Sequence, residues 1–169
     1  MYDTSDSHPD IHWPSGFSPA DADSFHRAQA VVPGPPERAF QLLTDVANWP
    51  KWVPGCEEVS SVTLAQTFEV VWAGHLFEVF VGESVPPRRI GWLGIGGGVM
   101  LYQAWLLTGT EDGTEVVVEN AVRADAPRRV RADAPRPFGN PSDAWAERLN
   151  ELWLAQLDKL SQPLPDPAP

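Results

Sequence analysis

Apolar positions alternate with a period of two through most of this chain and switch to a spacing of three and four in only two places. Ser24 to Val32 alternates its way from polar to apolar and reads as a strand that ends at Pro33 Gly34 Pro35 Pro36, where prolines end a ladder and favour a helix start. Ala39, Phe40, Leu43 and Val46 then recur at helical spacing over Glu37 to Val46, with Glu37 in the first turn where it complements the helix dipole. Pro50 and Pro54 stop that pattern. Strand-like runs follow at Glu58 to Leu64, Thr67 to Ala73, Leu76 to Val85, Arg88 to Ile95, Met100 to Thr108 and Thr114 to Arg123. Turn residues bound them, among them Ala73 Gly74 His75, Pro86 Pro87, Gly96 Gly97 Gly98 and Glu111 Asp112 Gly113. Six strands joined by short links predict an antiparallel meander.

The last element opens with Asn140 as a cap, Pro141 at the first helical position and Asp143 in the first turn, and it runs to Leu160. On a wheel of about 100° per residue, Trp145, Ala146, Leu149, Leu152, Trp153, Leu157 and Leu160 fall in one arc, opposite Glu147, Glu151 and Asp158. Gln156 projects into the apolar arc, either as a satisfied core amide or as a polar contact for a ligand. Along the strands, Phe68, Val70 and Trp72 share a face, as do His75, Phe77, Val79 and Val81, and Ile90 with Trp92, so an aromatic-rich inner surface is predicted.

At 169 residues the chain has room for one domain with a real core and too little for two. That domain is placed at residues 11–161, between a polar tail over 1–10 and a proline-rich tail over 162–169, with Ile11 His12 Trp13 Pro14 Ser15 Gly16 Phe17 docking as an ordered arm. A net charge of −11 disfavours nucleic acid and anionic membrane surfaces. Neither a secretory leader nor a stretch of membrane-spanning length is read from the sequence, so a soluble protein without membrane insertion is expected. Cys56 is the only cysteine, which rules out an intrachain disulfide and suits a reducing, cytoplasmic setting.

The order of elements is one strand, a helix with a kinked continuation, six antiparallel strands and a long helix. Residues 11–23, Ala39 to Asp45, Trp49 Pro50 Lys51 Trp52, Gly113 to Val116 and Leu152 to Leu157 carry a resemblance to the START-related SRPBCC superfamily, in its polyketide cyclase/dehydrase-like branch. The resemblance covers roughly residues 11–161. It implies an α+β helix-grip fold: a curved seven-stranded antiparallel sheet wrapped around a long C-terminal helix, a short helical pair after the first strand, and a cavity between sheet and helix for a hydrophobic small molecule. The superfamily spans many roles, so the resemblance speaks to fold more than to function. The Trp49 Pro50 Lys51 Trp52 corner is placed at the cavity's edge, with Trp52 the ring expected to meet a ligand.

The expected ligand-binding set is Trp52, Phe68, Trp72, His75, Phe77, Trp92, Tyr102, Trp105, Glu119, Trp153 and Gln156. The candidates for acid–base chemistry are His75, Glu119 and Tyr102. His75 is either a cavity acid–base group or a turn histidine capping a carbonyl. Strict alternation sends one of Glu119 and Asn120 inward, and an inward Glu119 would have a raised pKa. Gly94 Ile95 Gly96 Gly97 Gly98 lacks the helix and lysine of a phosphate loop and reads instead as a flexible hairpin over the cavity mouth. The four histidines lack metal-ligand spacing, so no metal and no cofactor are expected. Arg123 to Arg128 recurs unchanged as Arg131 to Arg136, giving a basic link before the last helix that reads as a solvated duplicated linker or, alternatively, as a patch for an anionic ligand or acidic partner.

Three roles follow: a binder of a hydrophobic or aromatic, lipid- or polyketide-like molecule, which is preferred; a cofactor-independent cyclase or dehydratase; and a module acting through its surface. A monomer or homodimer fits each. A pocket of about 300 Å³ or more lined by Trp and Phe supports the first two, and a filled interior argues against both.

Overall fold

The computed structural model describes residues 7–72, 74–124 and 145–161, with side chains in the last stretch from Leu149 onward. The start of the C-terminal helix expected at Asn140, the second copy of the arginine repeat and the tail over 162–169 lie outside the described residues. The elements are β1 (Ser24–Val32), α1 (Pro36–Thr44), α2 (Trp49–Trp52), β2 (Cys56–Val59), β3 (Thr67–Trp72), β4 (His75–Val85), β5 (Arg89–Gly96), β6 (Val99–Thr110), β7 (Gly113–Ala124) and α3 (Trp145–Ser161). The seven strands form one antiparallel sheet in the order β1-β7-β6-β5-β4-β3-β2, so consecutive hairpins build the meander and β1 closes on its far side against β7. The curved sheet grips α3 as the helix-grip plan requires.

The corner after α1 has a local cause. Thr44 Oγ1 donates to the Phe40 carbonyl at 2.8 Å and the Asp45 N–H bonds back to Gln41, which ends α1 before a single turn of tighter helix over Val46–Asn48. The Trp49 indole N–H then donates to the Leu43 carbonyl at 3.0 Å, folding α2 back onto α1. Pro54 accepts from the Trp72 indole at 2.6 Å, and Gly55 sits at φ 79 where a Cβ would lie 2.6 Å from that same indole nitrogen. Two tryptophan donors on free carbonyls thus lock the corner between α1 and the sheet. The strand expected over Glu58 to Leu64 shortens to Cys56–Val59, a short edge that limits pairing with other chains.

The concave face of the sheet is covered, and the convex face is covered over β5, β6 and β7. On the concave face Val70, Val79, Ile90, Trp92, Trp105, Leu107, Val116 and Val118 pack with Ala39, Leu43 and Trp49 from the first helices and with Leu149, Trp153, Leu154 and Leu157 from α3. On the convex face Tyr102, Ala104, Leu106 and Val117 lie under Ile11, Trp13 and Phe17 of the N-terminal arm. The arm is also tied by polar contacts: Asp10 to Arg88 at 3.0 Å, His12 to Glu83 at 3.1 Å, and the Arg123 guanidinium to the Gly16 carbonyl at 2.7 Å. Among the described residues, Ser7 and His8 also make contacts, both to Glu119. A bulge between Val81 and Glu83 reverses the alternation in β4 and turns Glu83 toward the arm.

The buried face of α3 differs from the predicted arc. Leu149, Asn150, Trp153, Leu154, Leu157 and Ser161 are buried, whereas Leu152 is 40% exposed and Gln156 only half-buried. The helix is rotated from the sequence wheel because Trp153 seats among Trp49, Trp92 and Trp105, which brings Leu154 and Asn150 inward.

Candidate functional site

A cavity of about 80 Å³ lies between the concave face, α2 and α3. Its walls are Val70 and Trp72 of β3, Phe77 and Val79 of β4, Trp92 and Gly94 of β5, Leu101 and Gln103 of β6, Trp49, Val53 and Cys56 from the corner, and Leu149 and Trp153 of α3. The volume is well below the roughly 300 Å³ at which drug-sized ligand pockets begin. The interior is closed down around a small void rather than opened into a full pocket. Its rings form two groups: Trp49 meets Trp92 at 5.2 Å and Trp153 at 5.7 Å edge to face and Trp153 stacks on Trp92 at 6.1 Å, while Trp72 meets Phe77 at 5.5 Å. Such contacts hold rings in place by about 0.5–1.5 kcal/mol each beyond their burial.

One polar side chain reaches this wall. Gln103 stands on β6 between Leu101 and Trp105, opposite Trp92 on β5 and Asn120 on β7. The Trp92 indole donates to Gln103 Oε1 at 2.9 Å, and Gln103 Nε2 points at Asn150 Oδ1 on α3 at 3.4 Å. The ionisable group on the wall is Cys56, whose thiol is pushed up to about 11 by burial and by the charge of Glu57, against a backbone hydrogen bond at Glu58 that lowers it. A thiol in that state is a small apolar side chain rather than a nucleophile.

Of the eleven residues expected to bind, Trp72, Phe77, Trp92 and Trp153 line the cavity. Trp105 is buried beside it, 5.3 Å from Trp153. Phe68 packs on Trp49 at 5.8 Å in the core. Trp52 touches Trp153 at 6.2 Å from outside, so Trp49 is the corner ring that meets the void. His75 starts β4 across from Trp72, half-buried and off the wall, and Gln156 also lies off it.

Glu119 and Tyr102 are placed elsewhere altogether. Val116 and Val118 of β7 face the concave core, which carries Asn120 inward and sends Val117 and Glu119 to the convex side. Tyr102 lies on that same side, on the Trp13 ring at 5.6 Å, with its phenol pushed up to about 12 by burial and by the nearby Glu83. Its hydroxyl occupies the space that side chains at Gly82 and Gly91 would fill. Glu119 is fully buried under the arm, where it accepts from Ser7 Oγ at 2.6 Å and the His8 N–H at 2.8 Å, with Arg27 Nε at 3.6 Å and the Trp13 indole donating to Ser7 Oγ at 2.9 Å. Burial raises its pKa more than those donors lower it. The other nine wall residues, Trp49, Val53, Cys56, Val70, Val79, Gly94, Leu101, Gln103 and Leu149, lie outside the expected set; the alternation of β3, β4 and β6 and the spacing of Leu149 before Trp153 were the available signals.

A family model described as polyketide cyclase/dehydrase and lipid transport matches residues 32–141. Among solved structures, a hypothetical protein from Helicobacter pylori is similar at a TM-score of 0.69 and 19% identity, covering 92% of this chain and 98% of that one. A START superfamily protein from Mycobacterium smegmatis is similar at 0.57 and 14%, covering 80% and 92%. DynU16, a protein of the dynemicin biosynthetic locus, is similar at 0.58 and 19%, covering 81% of this chain and 46% of its own. At these identities the likeness is one of fold. No curated protein matches the sequence. Among the described residues no helix is long and apolar enough to cross a membrane.

Proposed function

The chain belongs to the polyketide cyclase/dehydrase and lipid transport family, and on that footing we propose that it binds a hydrophobic, ring-bearing small molecule between the sheet and α3 and releases it unaltered. The observation that carries this reading is the character of the wall: four indole rings and Phe77 surround the void, one amide supplies polarity, and the sole ionisable group among the described lining residues is a buried thiol. General acid–base catalysis needs a proton donor or acceptor within about 3 Å of the reacting atom. Glu119 and Tyr102 are separated from the void by the sheet itself, and His75 stands off the wall. A role played through the surface has less support, since the large exposed apolar side chains are scattered over β1, the loop at Val62, both ends of β4 and α3. A reducing, cytoplasmic setting suits the single unpaired thiol.

The void falls short of the pocket of about 300 Å³ expected from the sequence for a binding role, so on this reading the structure is the closed form. A void of about 80 Å³ is smaller than the roughly 150 Å³ that holds benzene in an engineered apolar cavity, so a ligand enters by moving lining side chains.

Gly94 offers the test. It lines the void at an ordinary strand position, and a Cβ there would meet Phe77 at 3.7 Å, so Gly94→Leu fills the space without backbone strain. Native mass spectrometry of the protein purified from its own host is expected to find an organic ligand in the parent protein, unchanged in mass in His75→Ala and Glu119→Gln, and missing from Gly94→Leu. A ligand retained by Gly94→Leu, or one whose mass differs between the parent and the His75→Ala or Glu119→Gln protein, overturns the proposal.

A further inference from the structure

Beside the cavity, two residues of α3 face two of β6. Asn150 and Trp153 are three residues apart and both turn inward, and Gln103 and Trp105 alternate onto the concave face. The Gln103 amide reaches Asn150 at 3.4 Å, and the Trp105 and Trp153 rings are 5.3 Å apart, so the four make one patch across the sheet–helix seam. All four are at most 6% exposed.

The polarity of this patch is set from one end. An indole N–H can only donate, so the bond from Trp92 fixes Gln103 with its oxygen toward Trp92 and its NH₂ toward α3. Asn150 must then meet that NH₂ with its oxygen, which leaves its own NH₂ directed elsewhere. Among the described residues, Asn150 Nδ2, Trp153 Nε1 and Trp105 Nε1 make no hydrogen bond. The three unbonded polar atoms of these four residues are therefore all donors. Buried donors are almost always paired, and leaving them unmade is unfavourable. A molecule that supplies an acceptor as it enters recovers what the closed state forgoes, and that difference between states is what shifts an equilibrium.

Resting on the binding role above, we propose that the ligand carries a hydrogen-bond acceptor, a carbonyl or ether oxygen, and that Trp153 on the wall selects for it, with Asn150, which lies off the wall, as a second donor once the side chains move. Trp153 belongs both to the wall and to the donor patch, so the side chain that moves to admit a ring is also one that brings an unpaired N–H to it.

The test compares two single-ring probes of nearly equal shape, acetophenone and ethylbenzene, titrated into the ¹⁵N-labelled full chain. The indole N–H resonances are read, with Trp153→Phe identifying that residue's signal. Acetophenone is expected to bind about tenfold more tightly than ethylbenzene, the worth of one net hydrogen bond, and to move the Trp153 N–H signal downfield. Asn150→Leu is expected to narrow the preference while ethylbenzene still binds. Equal affinities with no selective shift of that signal overturn this inference and leave the binding role standing. Binding of neither probe up to its solubility overturns the binding role and this inference with it. The probe comparison on the parent protein decides the matter even if a variant fails to fold.

Discussion

Replacing Glu119 with glutamine is expected to remove one proton's worth of pH dependence from the stability of the fold. The carboxylate is fully buried under the arm, and burial outweighs the hydrogen bonds from Ser7 and His8 and the charges of Arg27 and His8 that favour ionisation. The folded protein therefore holds this proton more tightly than the unfolded chain, in which the group titrates near 4.5. The resulting stabilisation is fully present below that value and is lost as pH rises through the raised folded pKa. A single proton limits the slope to about 1.4 kcal/mol per pH unit, which for a chain of this size is about 3–6 °C in Tm. The assay is urea unfolding of the parent and Glu119→Gln proteins from pH 4.5 to 8. Taking the difference cancels the titrations common to both. The stability of Glu119→Gln relative to the parent should rise with pH inside the window and level off above it. A flat difference, or one that falls as pH rises, would refute the reasoning, because it would mean that the arm's donors outweigh burial.

Gln103→Leu strips Trp92 of its acceptor and Asn150 of its donor, and at about 1–3 kcal/mol for each orphaned group it should lower stability by about 2–6 kcal/mol in equilibrium urea unfolding. With its thiol at about 11 and buried, Cys56 should resist a thiol-reactive disulfide reagent at pH 8 in the native protein and react within minutes once urea unfolds the chain. Gly91→Ala drives a methyl group into the Tyr102 hydroxyl on the convex face, and the overpacking should cost about 1–3 kcal/mol while loosening the arm, seen as faster amide exchange at Ile11 and Phe17.

Much of the architecture is legible in the order of residues. The period-two runs place β3 to β7 to within a few residues, and the prolines at 33, 35 and 36 mark where β1 yields to α1, because missing donors and fixed φ act locally. The Trp49 to Trp52 corner is likewise a local device, since Trp49 bonds to a carbonyl only six residues away. Contacts between distant residues were less legible: nothing local marks Ser7 and His8 as donors until Glu119, more than a hundred residues on, supplies the acceptor.

What only the tertiary structure decided is which side each residue faces and how much space is left. In β7 the positions on either face of the sheet are equally apolar, Val117 and Ala121 on one and Val116, Val118 and Val122 on the other, so alternation cannot say whether Glu119 or Asn120 turns inward. That ambiguity has a physical source: the arm buries the convex face, and burial on both sides erases the contrast from which direction is read. The rotation of α3 differs from the sequence wheel, which put Leu152 rather than Leu154 in the buried arc, because the two are equivalent by composition and only the seating of Trp153 among three other indoles chooses between them. By itself the sequence determined that there would be a sheet, a helix gripped by it and an aromatic seam between them. Packing alone determined that the seam closes to about 80 Å³ and that its one polar chain runs from Trp92 through Gln103 to Asn150, since volumes and hydrogen-bond directions depend on side chains brought together from distant parts of the chain.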